Sequence, residues 1–368
     1  MSRHSNEQLD ELLKQARAAG SARAVKGQRE RTLEIVDITR TTDDSVQITL
    51  AQDANDPLRF TPGQFVTVIA EIDGEEVRRA YSFCSPPEEE ETFSIAVKRV
   101  ESGRMSNHLN DHAVVGGHLR ISGPNGRFGT TPDASRQRHV VLIGGGSGIT
   151  PLHSIASSLL RSEPETRVSL LFANRSEQDI MFRESLEALE AEHDRFSCTH
   201  LLEDNDEGIA EYEGRLNDEI LRGFLTDEKV SDDAEYYICG PAPMMELTSS
   251  LLAECGVASD SVFIERFLDQ SKSRSADPAA LVDYNVKFQR SDIETTIRGD
   301  KSVLRGGHDA GVSIDFSCTM GGCAACKVKL VSGDVEMDEP NCLTSEERDE
   351  GYILACVSCP RSDLEVEC

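Results

Sequence analysis

The feature that most narrows what this chain can fold into is a run of cysteines near its end, Ser317-Cys318-Thr319-Met320-Gly321-Gly322-Cys323-Ala324-Ala325-Cys326. Four residues separate the first two cysteines, two separate the next pair, and twenty-nine lie between Cys326 and Cys356. Two ferric ions bridged by sulfide need four thiolates, and this C-x4-C-x2-C…C pattern is that of a [2Fe-2S] cluster. A tight loop can supply three of them if glycines let it curl and aim amides at the sulfurs, a task for which Gly321 and Gly322 are placed. A four-cysteine zinc site is the alternative, but zinc modules present paired C-x2-C knuckles that the four-residue gap fits poorly. The expected ligands are Cys318, Cys323, Cys326 and Cys356, with Cys342 and Cys359 packing nearby. Cys198-Thr199-His200 lacks the second Cys-x2-His that a Rieske centre requires.

Composition limits what surrounds that loop. The 368 residues suffice for two to four domains at roughly 100 to 200 residues each. Lysine and arginine number 38 against 66 aspartates and glutamates, for a net charge of −28. Such a surface repels phosphate backbones, which argues against nucleic-acid and anionic-membrane partners. No apolar run approaches the ~20 residues of a membrane helix, and the N-terminus lacks the apolar core of a secretory signal. A soluble cytoplasmic protein is expected, where eleven cysteines point to metal or redox chemistry over disulfides.

The pattern along the chain changes three times. Residues 1–28 form an N-terminal extension rich in Glu, Gln, Lys, Arg and Ala. From residue 29 to 134 come short β-like runs, Leu33 to Ile38, Val46 to Leu50, Gln64 to Ala70, Thr92 to Val97 and His118 to Ile121, whose spacing predicts a small antiparallel barrel. From 135 to 270 strands and helices alternate, with helices expected over Ile180 to Leu189 and Met244 to Cys255, which predicts a parallel sheet flanked by helices. A polar linker at 271–283 leads to a third domain at 284–368, with a strand near Val286 to Gln289 and a helix over Lys301 to Ala310. His108, His112, His118 and His153 read as packing or surface residues.

Within the barrel region stand Arg79-Ala80-Tyr81-Ser82 and, about twenty residues on, Gly103-Arg104-Met105-Ser106 before a helix. An arginine can fork onto phosphate, a tyrosine ring can lie against an isoalloxazine, and a serine hydroxyl can reach its N5 edge. Amides at a helix start can receive a pyrophosphate. This pair of motifs resembles the ferredoxin-NAD(P)+ reductase superfamily, in which R-x-Y-S and G-x-x-S hold a flavin, and the second motif favours FAD over FMN.

Val140-Val141-Leu142-Ile143 runs into Gly144-Gly145-Gly146-Ser147-Gly148-Ile149-Thr150-Pro151 and an apolar helix. A buried strand feeding a glycine turn at a helix N-terminus suits a dinucleotide pyrophosphate. Cys239-Gly240-Pro241 closes a later strand. The superfamily resemblance implies that this cysteine lies beside the nicotinamide, where hydride passes from C4 to flavin N5, so Ser82 and Cys239 are the expected catalytic residues. Phe172-Ala173-Asn174-Arg175-Ser176-Glu177-Gln178-Asp179 is similar to NADH-using members, which implies that Asp179 accepts from the adenosine ribose, whereas Arg175 is a candidate partner for a 2′-phosphate. NADH is therefore expected, with NADPH the alternative. Glu265-Arg266-Phe267 resembles the E-x-F ending of related reductases, whose aromatic lies by the flavin.

In this order the three signatures resemble three-domain oxygenase reductase components with a C-terminal plant-type ferredoxin, such as those of phenylacetyl-CoA oxygenase and 3-ketosteroid 9α-hydroxylase. The resemblance covers residues 30 to 368 and extends to Val97-Lys98-Arg99-Val100 and Asn174-Arg175. It implies an FAD-binding antiparallel β-barrel, a Rossmann-like α/β nucleotide domain and an α+β ferredoxin domain of β-grasp type. It also implies an NADH-dependent oxidoreductase passing electrons through FAD and the [2Fe-2S] cluster to a terminal Rieske-type or di-iron oxygenase. The alternative acceptor is another redox protein, such as a hybrid-cluster protein, a cytochrome P450 or a desaturase. Thr319-Met320 stands where plant ferredoxins often carry Arg-Ala. Tyr284 to Cys368 holds sixteen acidic against nine basic residues, suited to a basic partner face. A monomer is expected, although nothing in the sequence fixes the oligomeric state.

Overall fold

The computed structural model describes residues 30–267, 282–339 and 341–368. The N-terminal extension and most of the expected linker lie outside the described residues. What is described divides into two compact units, one on each side of the linker.

The first unit opens with β1 (Glu30–Thr42), β2 (Ser45–Ala51), β3 (Phe65–Ile72), β4 (Glu75–Ser82), β5 (Thr92–Lys98), α1 (Arg104–His112) and β6 (His118–Asn125). Its six strands pair antiparallel in the order β4-β3-β6-β1-β2-β5. The two ends of that order meet, because Phe83 bridges Ile95 and the Cys84 amide donates to the Ser94 carbonyl at 2.9 Å. Closure removes the open edges that an antiparallel sheet would otherwise expose. Side chains at alternate positions, among them Ile48, Leu50, Val66, Val68 and Ile95, turn inward, and α1 adds Met105 and Leu109 to the same core. The expected barrel is present.

The chain continues through β7 (His139–Gly145), α2 (Ile149–Ser162), β8 (Arg167–Asn174), α3 (Arg183–Glu192), β9 (Phe196–Leu202), β10 (Tyr212–Glu213), α4 (Asp218–Asp227), β11 (Glu235–Cys239), α5 (Ala242–Glu254) and β12 (Val262–Glu265). All six strands run parallel in the order β10-β9-β8-β7-β11-β12. Every residue of β7 is buried, as a central strand covered on both faces must be. From β7 the chain winds to one edge and then returns to start the other half at β11. Ligands of open α/β sheets bind at the C-terminal ends of the strands flanking such a reversal, here β7 and β11.

Barrel and parallel sheet share one core. Cys84, Ala96 and Phe128 from the barrel side pack with Leu142, Ile149, Leu152 and Cys239. At the opposite end of the sheet, Arg138 donates to Glu163 at 2.8 Å, to Glu235 at 2.6 Å and to Thr130 at 2.9 Å. Glu163, wholly buried, also accepts from Thr166 and from the Asp133 amide. Burial pushes the Glu163 pKa up, but Arg138, Thr166 and that amide hold it below the ordinary value. Removing Glu163 leaves Arg138 with Glu235 as its remaining close carboxylate and deprives Thr166 and the Asp133 amide of their acceptor, so Glu163→Ala should cost about 3 kcal/mol in urea unfolding at neutral pH. A depressed carboxyl stabilises fully above its unfolded pKa of about 4.3 and loses that contribution as pH falls through its lower folded value. The gap between variant and parent should therefore close on acidification below about pH 4.

The second unit holds β13 (Asp283–Phe288), β14 (Ile293–Arg298), α6 (Val303–Asp309), β15 (Lys327–Ser332), β16 (Val335–Met337), α7 (Ser345–Asp349), β17 (Tyr352–Leu354), β18 (Ser358–Pro360) and β19 (Leu364–Glu367). Its five-stranded sheet has the order β14-β13-β19-β15-β17, with β13 and β19 parallel and the other pairs antiparallel. Phe288, Ile297, Val303, Val328, Leu354 and Val366 fill its core.

Candidate functional site

Strand β4 carries Arg79 to Ser82, aligned with β3 so that Arg79 faces Val68 and Tyr81 faces Val66. Two adjacent arginines are treated differently. Arg78 pairs with Glu30 and Glu76, whereas Arg79 has no acidic partner among the described residues and donates only to the Arg78 carbonyl at 2.7 Å. Burial lowers the Arg79 pKa. A half-buried guanidinium without a counter-charge, in a chain with net charge −28, is a cradle for an anion. Tyr81 packs against the barrel core and burial pushes its phenol pKa far up, while Ser82 is buried at the strand end.

Helix α1 begins beyond Gly103 with no side-chain cap and no acid in its first turn, so its first amides are open to an anion. A Cβ on Gly103 would stand 2.5 Å from Ser106 Oγ. The Ser106 hydroxyl accepts from the Val100 amide at 3.2 Å and fixes this entry turn. Arg104 donates to Glu75 and to the Ile72 carbonyl, and Met105 lies in the barrel core, which leaves these two residues main-chain amides to offer. Val97 is buried, its carbonyl accepting from Asn110.

The glycine turn and the Cys239-Gly240-Pro241 segment meet backbone to backbone. Cys239 pairs with Gly144 across β11 and β7. A Cβ on Gly148 would lie 2.1 Å from the Cys239 carbonyl oxygen, and one on Gly145 would lie 2.7 Å from Pro241. A Cβ on Gly240 would come 2.9 Å from the Gly145 amide. Gly146 turns the chain with a φ of +52°. Thr150 donates to the Ser147 carbonyl at 3.0 Å, and Pro151 occupies the first turn of α2, where it breaks no helical hydrogen bond. Cys239 is wholly buried, and burial raises its thiol pKa well above the ordinary range, so it carries no charge at neutral pH.

Asn174, at the end of β8, is buried with neither end of its amide hydrogen bonded, an arrangement that leaves both a donor and an acceptor for a ligand. Asp179 is already engaged. It accepts from Arg175 at 2.6 Å, from Ser176 at 2.9 Å and from Lys98 of the barrel at 3.2 Å. Burial raises its pKa, and these three donors bring it below the ordinary value. A ribose hydroxyl would have to displace one of them. Phe267 is the last described residue before the linker and is 46% exposed.

In the second unit the four expected thiols form two pairs, Cys318 with Cys323 and Cys326 with Cys356. The hydrogen bond with Cys323, aided by the Met320, Gly322 and Cys323 amides, draws the Cys318 pKa down to about 6. Cys326 is likewise lowered by Cys356, while Cys323 and Cys356 are raised by the same bonds. Among the described residues no three Cys, His, Asp or Glu side chains converge as a mononuclear metal site requires. Two couples of thiols are compatible with two irons that each take two protein sulfurs, the arrangement of a [2Fe-2S] cluster.

The loop curls by a different route from the one the sequence suggests. Gly321 has a φ of +79°, but Gly322 does not enter the left-handed region, and the non-glycine residues Thr319 and Ala324 do so instead, each at +57°. The Thr319 hydroxyl donates to the Cys318 carbonyl at 2.7 Å, a local bond that helps hold this conformation. Cys342 donates through its amide to the Gly321 carbonyl, and Cys359 is buried in β18.

One histidine does more than the sequence implies. His153, inside the apolar run of α2, lies between the two halves of the first unit, with its ring hydrogen bonded to the Cys84 carbonyl and to Ser185. Its apolar helix neighbours are the signal, present in the sequence, of a buried ring that needs both nitrogens satisfied.

Three family models match: an oxidoreductase FAD-binding domain over residues 32–129, an oxidoreductase NAD-binding domain over 142–250, and a 2Fe-2S iron-sulfur cluster binding domain over 286–361. A component of the 1,2-phenylacetyl-CoA epoxidase of Escherichia coli (strain K12) is 33% identical over 91% of this chain and 97% of its own length. The ferredoxin reductase component of 3-ketosteroid-9-alpha-monooxygenase from Mycobacterium tuberculosis (strain CDC 1551 / Oshkosh) is 34% identical over 90% of this chain and 93% of its own. Among solved structures, phthalate dioxygenase reductase superposes with a TM-score of 0.64 at 25% identity, covering 92% of this chain and 98% of that one. No helix among the described residues is long and apolar enough to cross a membrane.

Proposed function

The chain belongs to the FAD-, NAD- and [2Fe-2S]-binding reductase components of oxygenase systems, and on that premise we propose how its residues carry electrons from NADH toward a terminal Rieske-type or di-iron oxygenase. The observations that support this most are the seating of Gly148 on the Cys239 carbonyl and, in the same unit, an Arg79 that has no acidic partner among the described residues. They put a close-approach backbone turn and an anion-ready guanidinium in one compact unit.

FAD held there would supply the conversion between the two-electron hydride of reduced nicotinamide and the single electrons that a one-electron cluster requires. Arg79 and the first amides of α1 would hold its pyrophosphate, Tyr81 would lie against its ring, and the Ser82 hydroxyl would serve its N5 edge. Gly145 to Gly148 admit the nicotinamide nucleotide's pyrophosphate because no Cβ intervenes. The buried, uncharged Cys239 thiol would back the nicotinamide pocket without attracting the ring's positive charge in the oxidised nucleotide. Asn174 supplies the open amide for the nucleotide, and Asp179, exchanging Arg175 for a ribose hydroxyl, disfavours a 2′-phosphate. Cys318, Cys323, Cys326 and Cys356 hold the cluster.

Anaerobic stopped-flow of the holoprotein against NADH and NADPH tests the reading. NADH should bleach the flavin band at about 450 nm and then reduce the cluster, with kcat/KM higher than for NADPH. A flavin that neither nucleotide bleaches, or a cluster that stays oxidised behind a reduced flavin, overturns it.

A further inference from the structure

Two consecutive side chains of α2 reach two consecutive carbonyls just beyond the flavin strand. His153 Nδ1 lies 2.7 Å from the Cys84 carbonyl oxygen, and Ser154 Oγ donates to the Ser85 carbonyl at 2.7 Å. Cys84 and Ser85 follow Ser82 by two and three residues, so these carbonyls anchor the exit of β4. The same helix begins at the glycine turn, and at 1.5 Å per residue His153 lies only about 6 Å along the axis from Ile149.

The bonding of the ring leaves it no freedom. A carbonyl only accepts, so Nδ1 carries the proton, and Nε2, 2.8 Å from Ser185 Oγ, accepts from that hydroxyl. The ring lies 4.8 Å from that of Phe182, and His153 is 9% exposed. Cys84, Ile149, Leu152 and Cys239 pack in one cluster around this junction, so a shift of β4's exit has nowhere to be absorbed.

We propose that His153 is a positioning residue which, with Ser154, fixes the distance between the flavin strand and the nicotinamide turn, and so sets the geometry of hydride transfer. This rests on the assignment of Arg79–Ser82 to flavin and Gly145–Gly148 to nicotinamide nucleotide. Transfer between two bound rings depends steeply on their separation, and a misplacement of about 1 Å can cost about 10²-fold in rate.

The two amide replacements separate positioning from packing. Asparagine places its NH2 near the position of Nδ1 and keeps the bond to Cys84, whereas glutamine reaches the position of Nε2 and keeps only Ser185. In the holoprotein at saturating NADH, His153→Gln should slow flavin reduction roughly 10- to 100-fold with KM little changed, while His153→Asn stays within about threefold of the parent. Hydrogen exchange at the Phe83, Cys84 and Ser85 amides, which needs no turnover, should accelerate in His153→Gln and not in His153→Asn. Equal losses in both variants, or parent rates in His153→Gln, would overturn the proposal. If His153→Gln does not fold, Ser154→Ala carries the test: it should slow flavin reduction and loosen the same amides, and a parent rate there also overturns it. Failure of the underlying site assignment shows differently, as parent protein whose flavin NADH does not reduce although dithionite does.

Discussion

Cys323→Ser is expected to take up reducing equivalents from NADH at its flavin at close to the parent rate while delivery to cytochrome c falls by about 10²-fold or more, slow leakage from the flavin setting the floor. The expectation follows from the division of the chain. Cys323 lies in the second unit, whose core draws on Phe288, Val328 and Val366, whereas the flavin and nucleotide elements pack in clusters of their own. A serine hydroxyl resists ionisation far more than a thiol and is a poor match for the soft iron–sulfur environment. It also breaks the bond with Cys318 and loses the sulfur that faces the Ala325 amide at 3.5 Å. The loop already holds Thr319 and Ala324 at positive φ, which non-glycine residues adopt only when their surroundings hold them there. The variant should therefore bind little iron, read by metal analysis and by absorbance beyond the flavin band. Undiminished cytochrome c reduction in an iron-free variant would show that electrons leave by another route, and loss of flavin reduction as well would show that the two units do not fold independently.

What is legible in the sequence is what local pattern and spacing encode. The continuous apolar run of β7 and the alternation in β2 and β5 mark buried strands, and the cysteine spacing points to the 2Fe-2S domain that a family model matches over residues 286–361. Boundaries are less visible where tertiary burial competes with helical period. The pattern predicts a helix from Ile180, but Ile180, Met181 and Phe182 are core residues of a turn, and α3 starts only at Arg183 after Phe182 adopts a φ of +61°. Strand β9, with Ser197, Cys198, Thr199 and His200 in its middle, carries no such mark. The Ser197 hydroxyl and the Cys198 and His200 amides are instead met by Glu228, Glu190 and Glu211 from other elements. The same holds for the Arg138–Glu163 pair and for the partners of the His153 ring, Cys84 and Ser185, although its apolar helix neighbours do signal its burial. Each depends on which residues two segments bring together, and such contacts leave no periodic trace. Asp179 shows the limit most clearly, since its motif suggests a free carboxylate while the fold surrounds it with Lys98, Arg175 and Ser176.

The close approach at the glycine turn yields the other large effect. Gly148→Ala would set a methyl carbon 2.1 Å from the Cys239 carbonyl oxygen, 2.5 Å from its carbon and 2.8 Å from the Gly240 nitrogen. All three are backbone atoms, and Cys239 is held in register between Gly144 of β7 and Glu265 of β12. No rotamer change relieves the clash, so the end of β11 must separate from the turn. Overpacking of this kind costs about 1–3 kcal/mol, and the displaced turn should slow NADH-driven flavin reduction by about 10²-fold while dithionite still reduces the flavin. A control isolates the site from general strain. Gly208 sits in a surface turn at a φ of +68° with nothing within 4 Å of an added Cβ. Gly208→Ala should cost about 1–2 kcal/mol of left-handed strain in urea unfolding and leave flavin reduction by NADH at the parent rate. If both variants lose stability alike yet both retain the parent NADH rate, the contact between Gly148 and Cys239 serves folding alone, and the nicotinamide must be received elsewhere.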